Sequence, residues 1–147
     1  MEAEEKDVLF MKKALEQAQL AFEDDEVPIG AVVVCKNRII GKGYNQTEKL
    51  RDVTAHAEML AITAASASLN SKFLDECTLY ITVEPCVMCA GAIKHARLSK
   101  IVIGAMEPKM GFSNYLDGDF NIKTELVSGV MEKECRDIMQ GFFRGKR

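Results

Sequence analysis

The sequence predicts an α/β domain in which helices cover the faces of a β-sheet. Four runs rich in β-branched and apolar residues are typical of strands: IGAVVVCK, RIIGKGYN, CTLYITV and KIVIGA. Segments rich in Ala, Leu and Met accompany them and are typical of helices. This alternation favours a helix-covered sheet. A chain of 147 residues can form one hydrophobic core, so we predict a single domain over residues 1–147.

The first elements are a helix and a hairpin. Residues 7–23 carry apolar side chains at helical spacing, which predicts an amphipathic helix with a buried stripe of Val8, Met11, Leu15, Ala18 and Phe22. Pro28 ends that region. Lys36 and Asn37 separate the first two strand-like runs, and the three segments together predict a β-hairpin.

The later elements continue the alternation. TAHAEMLAITAASASL predicts a second helix with Thr54 as its candidate N-cap, and CVMCAGAIKHARL, after Pro85, predicts a third. Residues 106–121 hold Pro, Gly, Asn and Asp and predict a long loop, which in a compact domain is often functional. IKTELVSG is either a short edge strand or a helix entry, and VMEKECRDIMQGFF predicts the last helix.

Composition excludes several classes of protein. An apolar content of 48% and a charged content of 28% are ordinary for a globular chain and exclude a disordered or fibrous one. No apolar run is long enough to cross a bilayer. The acidic start MEAEEKDVLF lacks the apolar region of a secretory signal. We therefore expect no membrane partner and a cytoplasmic location.

The net charge of −3 does not favour a nucleic-acid binder, but the charge is unevenly placed. Residues 1–26 hold nine acidic and three basic residues, so the other 121 residues carry +3, and the final RGKR supplies three positive charges. Lys94, Arg97 and Lys100 could join this tail in a local positive strip. The alternative is a frayed and solvated tail.

The cysteines divide into two groups. Five is an odd number, which excludes a complete disulfide framework. Cys35, Cys77 and Cys135 stand isolated among apolar neighbours, as small buried hydrophobic residues do. Cys86 and Cys89 form a C-x-x-C pair, and in a reducing compartment such a pair indicates metal or redox chemistry.

A catalytic zinc site accounts for the C-x-x-C pair together with His56. Residues three apart at a helix start share a face, and the helix dipole there favours thiolates. Two thiolates and one imidazole make three zinc ligands and leave a fourth position for water. His95 follows Cys89 by six residues on the same predicted helix and points away, so we expect it to be a structural or a surface residue.

Glu58 supplies the second half of this hypothesis. It stands two residues after His56, so it does not suit a side-by-side ligand pair, but it suits a carboxylate that moves protons between the water and a leaving nitrogen. The alternatives are a thioredoxin-like redox pair and a non-catalytic zinc module. The joint pattern, H-A-E with P-C-x-x-C thirty residues after the His, is the signature of zinc deaminases.

Five segments carry a family resemblance: EVPIGAVVV, GYNQT, TAHAEMLAI, TLYITVEPCVMCAGAI and FFRGKR. Together they resemble the bacterial tRNA-specific adenosine deaminases of the cytidine deaminase-like superfamily. The resemblance covers nearly the whole chain. It implies a three-layer α/β/α sandwich with a central mixed sheet of about five strands, one Zn²⁺ per subunit and a homodimer. It also implies hydrolytic deamination of the wobble adenosine of a tRNA anticodon to inosine.

The resemblance also implies roles for individual residues. His56, Cys86 and Cys89 would hold the zinc, a zinc-activated hydroxide would attack the base, and Glu58 would shuttle protons. Asn45 matches the asparagine that binds the flipped-out base, and the backbone of Ala57 would contact the base edge. For Asn45 the alternative is a turn residue that satisfies its own backbone. The closing FFR makes Phe142, Phe143 and Arg144 candidates for RNA contact, with core packing as the alternative for the aromatics.

One segment departs from the family pattern. Residues 106–120 keep Glu107 and Lys109 but replace the small residues usual in relatives with MGFSNYL. Phe112 and Tyr115 could stack on anticodon bases or pack the loop against the body. The rival function is therefore a deaminase of a free base or nucleoside, of guanine or cytosine type, which would use the same zinc site and need no basic surface.

Overall fold

The computed structural model describes residues 3–115 and 124–146. The elements in chain order are α1 (Ala3–Glu23), β1 (Gly30–Cys35), β2 (Arg38–Tyr44), α2 (Ala57–Leu69), β3 (Cys77–Val83), α3 (Val87–Ala96), β4 (Lys100–Ala105), β5 (Glu125–Ser128) and α4 (Glu132–Arg144). The four strand-like runs are confirmed, and within IKTELVSG the residues Glu125–Ser128 form a short strand, whereas Ile122 and Lys123 lie outside the described residues. One turn of 3₁₀ helix, Phe112–Asn114, interrupts the predicted long loop, whose residues 116–121 lie outside the described part.

The strands form one mixed sheet of five strands, as the resemblance implies, and their order is β2-β1-β3-β4-β5. β1 is antiparallel to β2 and β3, whereas β3, β4 and β5 are parallel. The carboxyl ends of β2, β3 and β4 therefore meet at one edge of the sheet. Lys36 and Asn37 take positive φ values, which suits the tight turn of a hairpin.

Helices cover both faces of the sheet, which confirms the three-layer sandwich. α2 and α3 pack on one face, in a core that includes Ala61, Ile93, Leu79 and Ile103. α1 packs on the other face with Cys135 of α4, in a core that includes Met11, Val32 and Val102. Cys77 and Cys135 are buried as expected, and Cys35 is partly exposed. None of the helices described is both long and apolar enough to cross a membrane.

The predicted buried stripe of α1 is wrong at two positions. Met11 and Ala18 are buried, but Val8 and Phe22 are more than one-third exposed. Asp7 takes the inner position instead, because the Tyr80 hydroxyl donates a hydrogen bond to its carboxylate at 2.8 Å and Lys100 pairs with it at 3.3 Å. Because its two partners satisfy the buried carboxylate, the buried face of α1 is turned by one residue from the predicted stripe.

Small residues set the distance between α2 and the edge strand β2. A Cβ atom on Gly43 would lie 2.3 Å from the Ala57 carbonyl oxygen and 2.7 Å from the Ala61 nitrogen. Only glycine allows the strand and helix backbones to come this close, and α2 carries alanines on the side that faces β2. The start of α2 is therefore held against the end of β2, at the sheet edge where β3 also ends.

Candidate metal centre

Two helices begin side by side at this sheet edge. His56 is the N-cap residue of α2 and Cys86 is that of α3, and neither side chain caps its own helix. Both side chains therefore remain available to a ligand. The prediction of Thr54 as the N-cap is wrong, because the Thr54 hydroxyl donates to Asp52 at 2.7 Å within the preceding turn.

The three predicted ligands converge. His56 Nδ1 lies 3.7 Å from Cys86 Sγ and 3.4 Å from Cys89 Sγ, and the three ligand atoms lie within 4.8 Å of one another. Tetrahedral zinc, with bonds of about 2.3 Å to sulfur and about 2.0 Å to nitrogen, separates these atoms by about 3.5 Å. Both the donor set and its spacing therefore fit a metal ion such as zinc.

Hydrogen bonds within the cluster shift the pKa values of all three residues. Hydrogen bonds from Cys89 and His56 lower the pKa of the Cys86 thiol to about 3. The bond to the Cys86 sulfur and burial raise the pKa of Cys89, and the bond to Cys86 raises that of His56. The positive ends of α2 and α3 favour negative charge at the same point. Cys86 is thus a thiolate ready to take a cation.

Glu58 lies in the first turn of α2 beside this cluster. It is only 4% exposed, and burial raises the pKa of its carboxyl from 4.5 to about 7. A carboxyl with this pKa both accepts and releases a proton near neutral pH, as a general acid–base catalyst must. His95, in contrast, is exposed on α3, as predicted.

A cavity of 290 Å³ opens over the cluster. Glu58, Asn45 and Ala57 all line it, so the residues predicted for catalysis and base binding share one wall. Asn45 Nδ2 donates to the Val27 carbonyl and Oδ1 accepts from the Thr47 amide, both at 3.3 Å. Each amide atom keeps capacity for one more hydrogen bond, so Asn45 is both a turn residue and a cavity residue.

A larger groove of 590 Å³ adjoins the cavity and shares Val83 and Glu107 with it. Phe143 and Arg144 line the groove. Phe142 does not, because it is 8% exposed and its ring packs edge-on against Phe22 at 5.9 Å. Only one of the two aromatics therefore faces solvent beside the cavity.

The loop that differs from the family pattern, which begins at residue 106, has one buried and one exposed aromatic side chain. Phe112 is buried in the core on the face of the sheet that α2 and α3 cover, so it is not available to stack on a base. Tyr115 is 60% exposed.

Among the residues that the structure describes, Arg97 and Lys100 do not join Arg144 in the local positive strip that the sequence allowed. Lys100, at the start of β4, pairs with Asp7, and the Arg97 guanidinium lies 3.9 Å from the centre of the Phe73 ring. Both residues lie at the sheet edge where β4 begins, whereas Ala105, at the other end of β4, lines the groove together with Arg144. Arg144 is thus separated from them by the length of the strand.

Sequence reasoning missed two buried glutamates that hold the loops around the cavity. Glu26 accepts hydrogen bonds from the amides of Glu48 and Lys49, at 3.1 and 2.7 Å. Glu84 accepts from the amides of Glu107 and Ser113, each at 3.0 Å. The available signal was an acidic residue one or two positions before a proline and next to a valine, in EVP and VEP.

Comparisons with known proteins point to a family of deaminases. The family model of MafB19-like deaminases matches residues 5–147. A protein of Bacillus subtilis named tRNA-specific adenosine deaminase is 45% identical over 96% of this chain and 91% of its own length. A solved structure from work on A-to-I editing by tRNA:A34 deaminases at the wobble position is 41% identical. It superposes with a TM-score of 0.84 over 88% of this chain and 98% of its own.

The guanine deaminase of Nitrosomonas europaea shows how widely the fold is shared. Its structure is 23% identical, with a TM-score of 0.82 over 92% of this chain and 83% of its own, and this likeness concerns the fold alone. The sequence identity to the tRNA deaminases, 41–45%, is much higher. This chain therefore belongs to the family of tRNA-specific adenosine deaminases, among the MafB19-like deaminases.

Proposed function

We propose that this protein converts the wobble adenosine of a tRNA anticodon to inosine by hydrolytic deamination. The observation that carries the proposal is the convergence of His56, Cys86 and Cys89 beside the buried Glu58, in a cavity open to solvent. We assign one zinc ion per subunit to these three ligands. Family membership supports both assignments.

The chemistry needs a strong nucleophile and a proton carrier. Zinc, when bound, supplies the nucleophile by lowering the pKa of water toward neutrality. Glu58 takes the proton that this water loses and delivers it to the ring nitrogen next to the carbon under attack. It then takes the proton of the hydroxyl group now on that carbon and passes it to the amino group as the C–N bond breaks, so that ammonia leaves and a carbonyl remains. The raised pKa of Glu58, about 7, suits both transfers.

The size of the cavity favours a single base as the buried part of the substrate. At 290 Å³ it lies at the lower limit of ligand pockets. The target nucleotide would leave its stack and insert only its base, which costs least in a single-stranded loop. The free hydrogen-bonding positions of Asn45 and the backbone of Ala57 would orient the ring.

The adjoining groove offers a place for the neighbouring nucleotides. Phe143 presents an exposed ring that can stack on a base, and Arg144 presents a charge for a phosphate. We propose RNA contact for these two residues and a packing role for Phe142. Tyr115 is a further exposed ring near the rim.

A homodimer and a cytoplasmic location complete the proposal. Val87 and Met88, which follow the ligand Cys86 on α3, are exposed apolar side chains that a second subunit would cover. Light scattering of the purified protein would give the subunit number, and a monomer at micromolar concentration would remove the dimer from the proposal. The location follows from a tRNA substrate.

A substrate panel tests the proposed function. Purified protein is incubated with an anticodon stem-loop that carries a wobble adenosine and, separately, with free adenosine, cytidine and guanine. We expect inosine in the stem-loop and no turnover of the free compounds. Turnover of a free base or nucleoside alone would be consistent with the metal site. It would show that the substrate is different and would connect this change with residues 106–115.

A further inference from the structure

We propose that Glu84 is a positioning residue which holds the 106–115 loop as the wall between the catalytic cavity and the groove, and so governs RNA binding. This inference rests on the proposed function for its substrate. Its structural part, a carboxylate that holds a loop, stands on contacts within the chain. Glu84 transfers no proton in this scheme.

The carboxylate of Glu84 bridges two points of the loop. Oε1 accepts from the Glu107 amide and Oε2 from the Ser113 amide, each at 3.0 Å. The next carbonyl along the chain, that of Pro85, accepts from the Phe112 amide at 2.8 Å. Three loop amides are thus tied to the segment that leads directly into the metal ligand Cys86. Hydrogen bonds to a charged acceptor are stronger than neutral ones.

Gly111 shows how closely the loop surrounds this carboxylate. A Cβ atom there would lie 2.1 Å from Glu84 Oε1 and 2.7 Å from the Glu107 carbonyl oxygen. Any other residue at position 111 would displace either the carboxylate or the loop. Glu84 itself is 5% exposed, so its charge is enclosed by the backbone that it holds.

The same loop forms much of the surface that meets the substrate. Glu107 lines both the cavity and the groove, and Met110 lines the cavity. Met106 and Pro108 line the groove. Release of the loop would therefore change the wall that the flanking nucleotides contact, while His56 and Glu58, on α2, would keep their places.

Glu84→Gln is the direct test because it keeps the size of the side chain and removes one acceptor. The amide NH₂ group cannot accept from a loop N–H, so one of the two contacts is lost. We expect KM for the stem-loop to rise about tenfold, the equivalent of one hydrogen bond to a charged group, with kcat changed less than threefold. Zinc content should match that of the wild type.

Asp7→Asn is a matched control. Asp7 is also a buried carboxylate with two partners, but it lies at the opposite edge of the sheet, where Lys100 begins β4. It should lower the melting temperature at least as much as Glu84→Gln and leave KM unchanged. A KM that rises equally in both variants would overturn the proposal, because it would report general destabilisation.

A second variant and a second readout keep the test decisive if Glu84→Gln folds poorly. Gly111→Ala should raise KM to a similar extent, and the double variant should show less than the product of the two effects. Hydrogen exchange should accelerate at the amides of Glu107 and Ser113 in either variant. Unchanged exchange at both amides, or faster exchange with an unchanged KM, would refute the positioning role.

The two proposals fail in different ways. If the wild-type protein does not deaminate the stem-loop, the proposed function fails, whatever the exchange data show. If the wild type is active and Glu84→Gln retains the wild-type KM, only the role of Glu84 fails.

Discussion

Gly43→Ala should disable the metal centre without touching any ligand. The added Cβ would lie 2.3 Å from the Ala57 carbonyl oxygen, whereas ordinary contact begins near 3.4 Å. The atom opposite is helix backbone, so a rotamer change cannot relieve the clash. Helix α2 must move away from β2 by about 1 Å.

That shift acts directly on two residues of the proposed site. His56 precedes Ala57, and Glu58 follows it, so both move relative to Cys86 and Cys89 on α3. A displacement of about 1 Å can cost on the order of 10²-fold in rate. Overpacking of this kind also costs roughly 1–3 kcal/mol of stability.

Three measurements check this prediction: zinc content after dialysis, the rate of inosine formation and the free energy of unfolding. Gly141→Ala is the matched control, because its added Cβ on α4 would have no described atom within 4 Å apart from its chain neighbours and the nearby backbone of its own helix. The control should be stabilised by about 0.5–1 kcal/mol and keep its zinc. A Gly43→Ala protein with full zinc and a rate within twofold of wild type would refute the reasoning.

Three further predictions follow from the site. In zinc-free protein Glu58 keeps its proton up to about pH 7, whereas the unfolded chain releases it near 4.5. Stability should therefore fall as pH rises across that window. Glu58→Gln should be more stable than wild type at pH 8, by up to about 3 kcal/mol in denaturant titrations with chelator, and equal stability would contradict the buried carboxyl. Arg144→Ala should raise KM for the stem-loop about three- to tenfold and reduce the slope of log KM against log salt by about 0.7; an unchanged slope would exclude a phosphate contact. Cys86→Ser should lose zinc on dialysis and lose activity with it, and retained zinc would argue against the assigned ligand set.

The residues of the candidate metal centre could be predicted because their signal is local and chemical. His56, Glu58, Cys86 and Cys89 occupy short motifs at two helix starts, and a sheet brings such starts to one edge. β3 and β4 could be predicted equally well, because apolar β-branched runs end at Pro85 and at the loop after Ala105.

The errors arose where distant partners decide the outcome. Asp7 is inside because Tyr80 and Lys100, 73 and 93 residues away, satisfy its carboxylate. Thr54 has the propensity of an N-cap, but α2 starts only where Gly43 lets Ala57 meet β2. The local sequence pattern contains no information on either of these long-range contacts.

The loop anchors were missed for a related reason. An acidic residue in a sequence is usually solvated, and nothing near Glu84 in the chain shows that amides from residues 107 and 113 will surround it. The loop departure was visible in MGFSNYL, but whether Phe112 would stack on RNA or join the core depended on tertiary packing. The structure places it in the core.

The most direct test of the central claim compares wild type with Glu58→Ala at equal zinc content on the wobble-adenosine stem-loop. Inosine formation is followed under single-turnover conditions, with zinc measured in the same samples. We expect complete conversion by wild type and a loss of at least 10²-fold in the variant, with zinc retained. Equal rates in the two proteins would contradict the assignment of Glu58 as the proton carrier and, with it, the proposed catalytic centre.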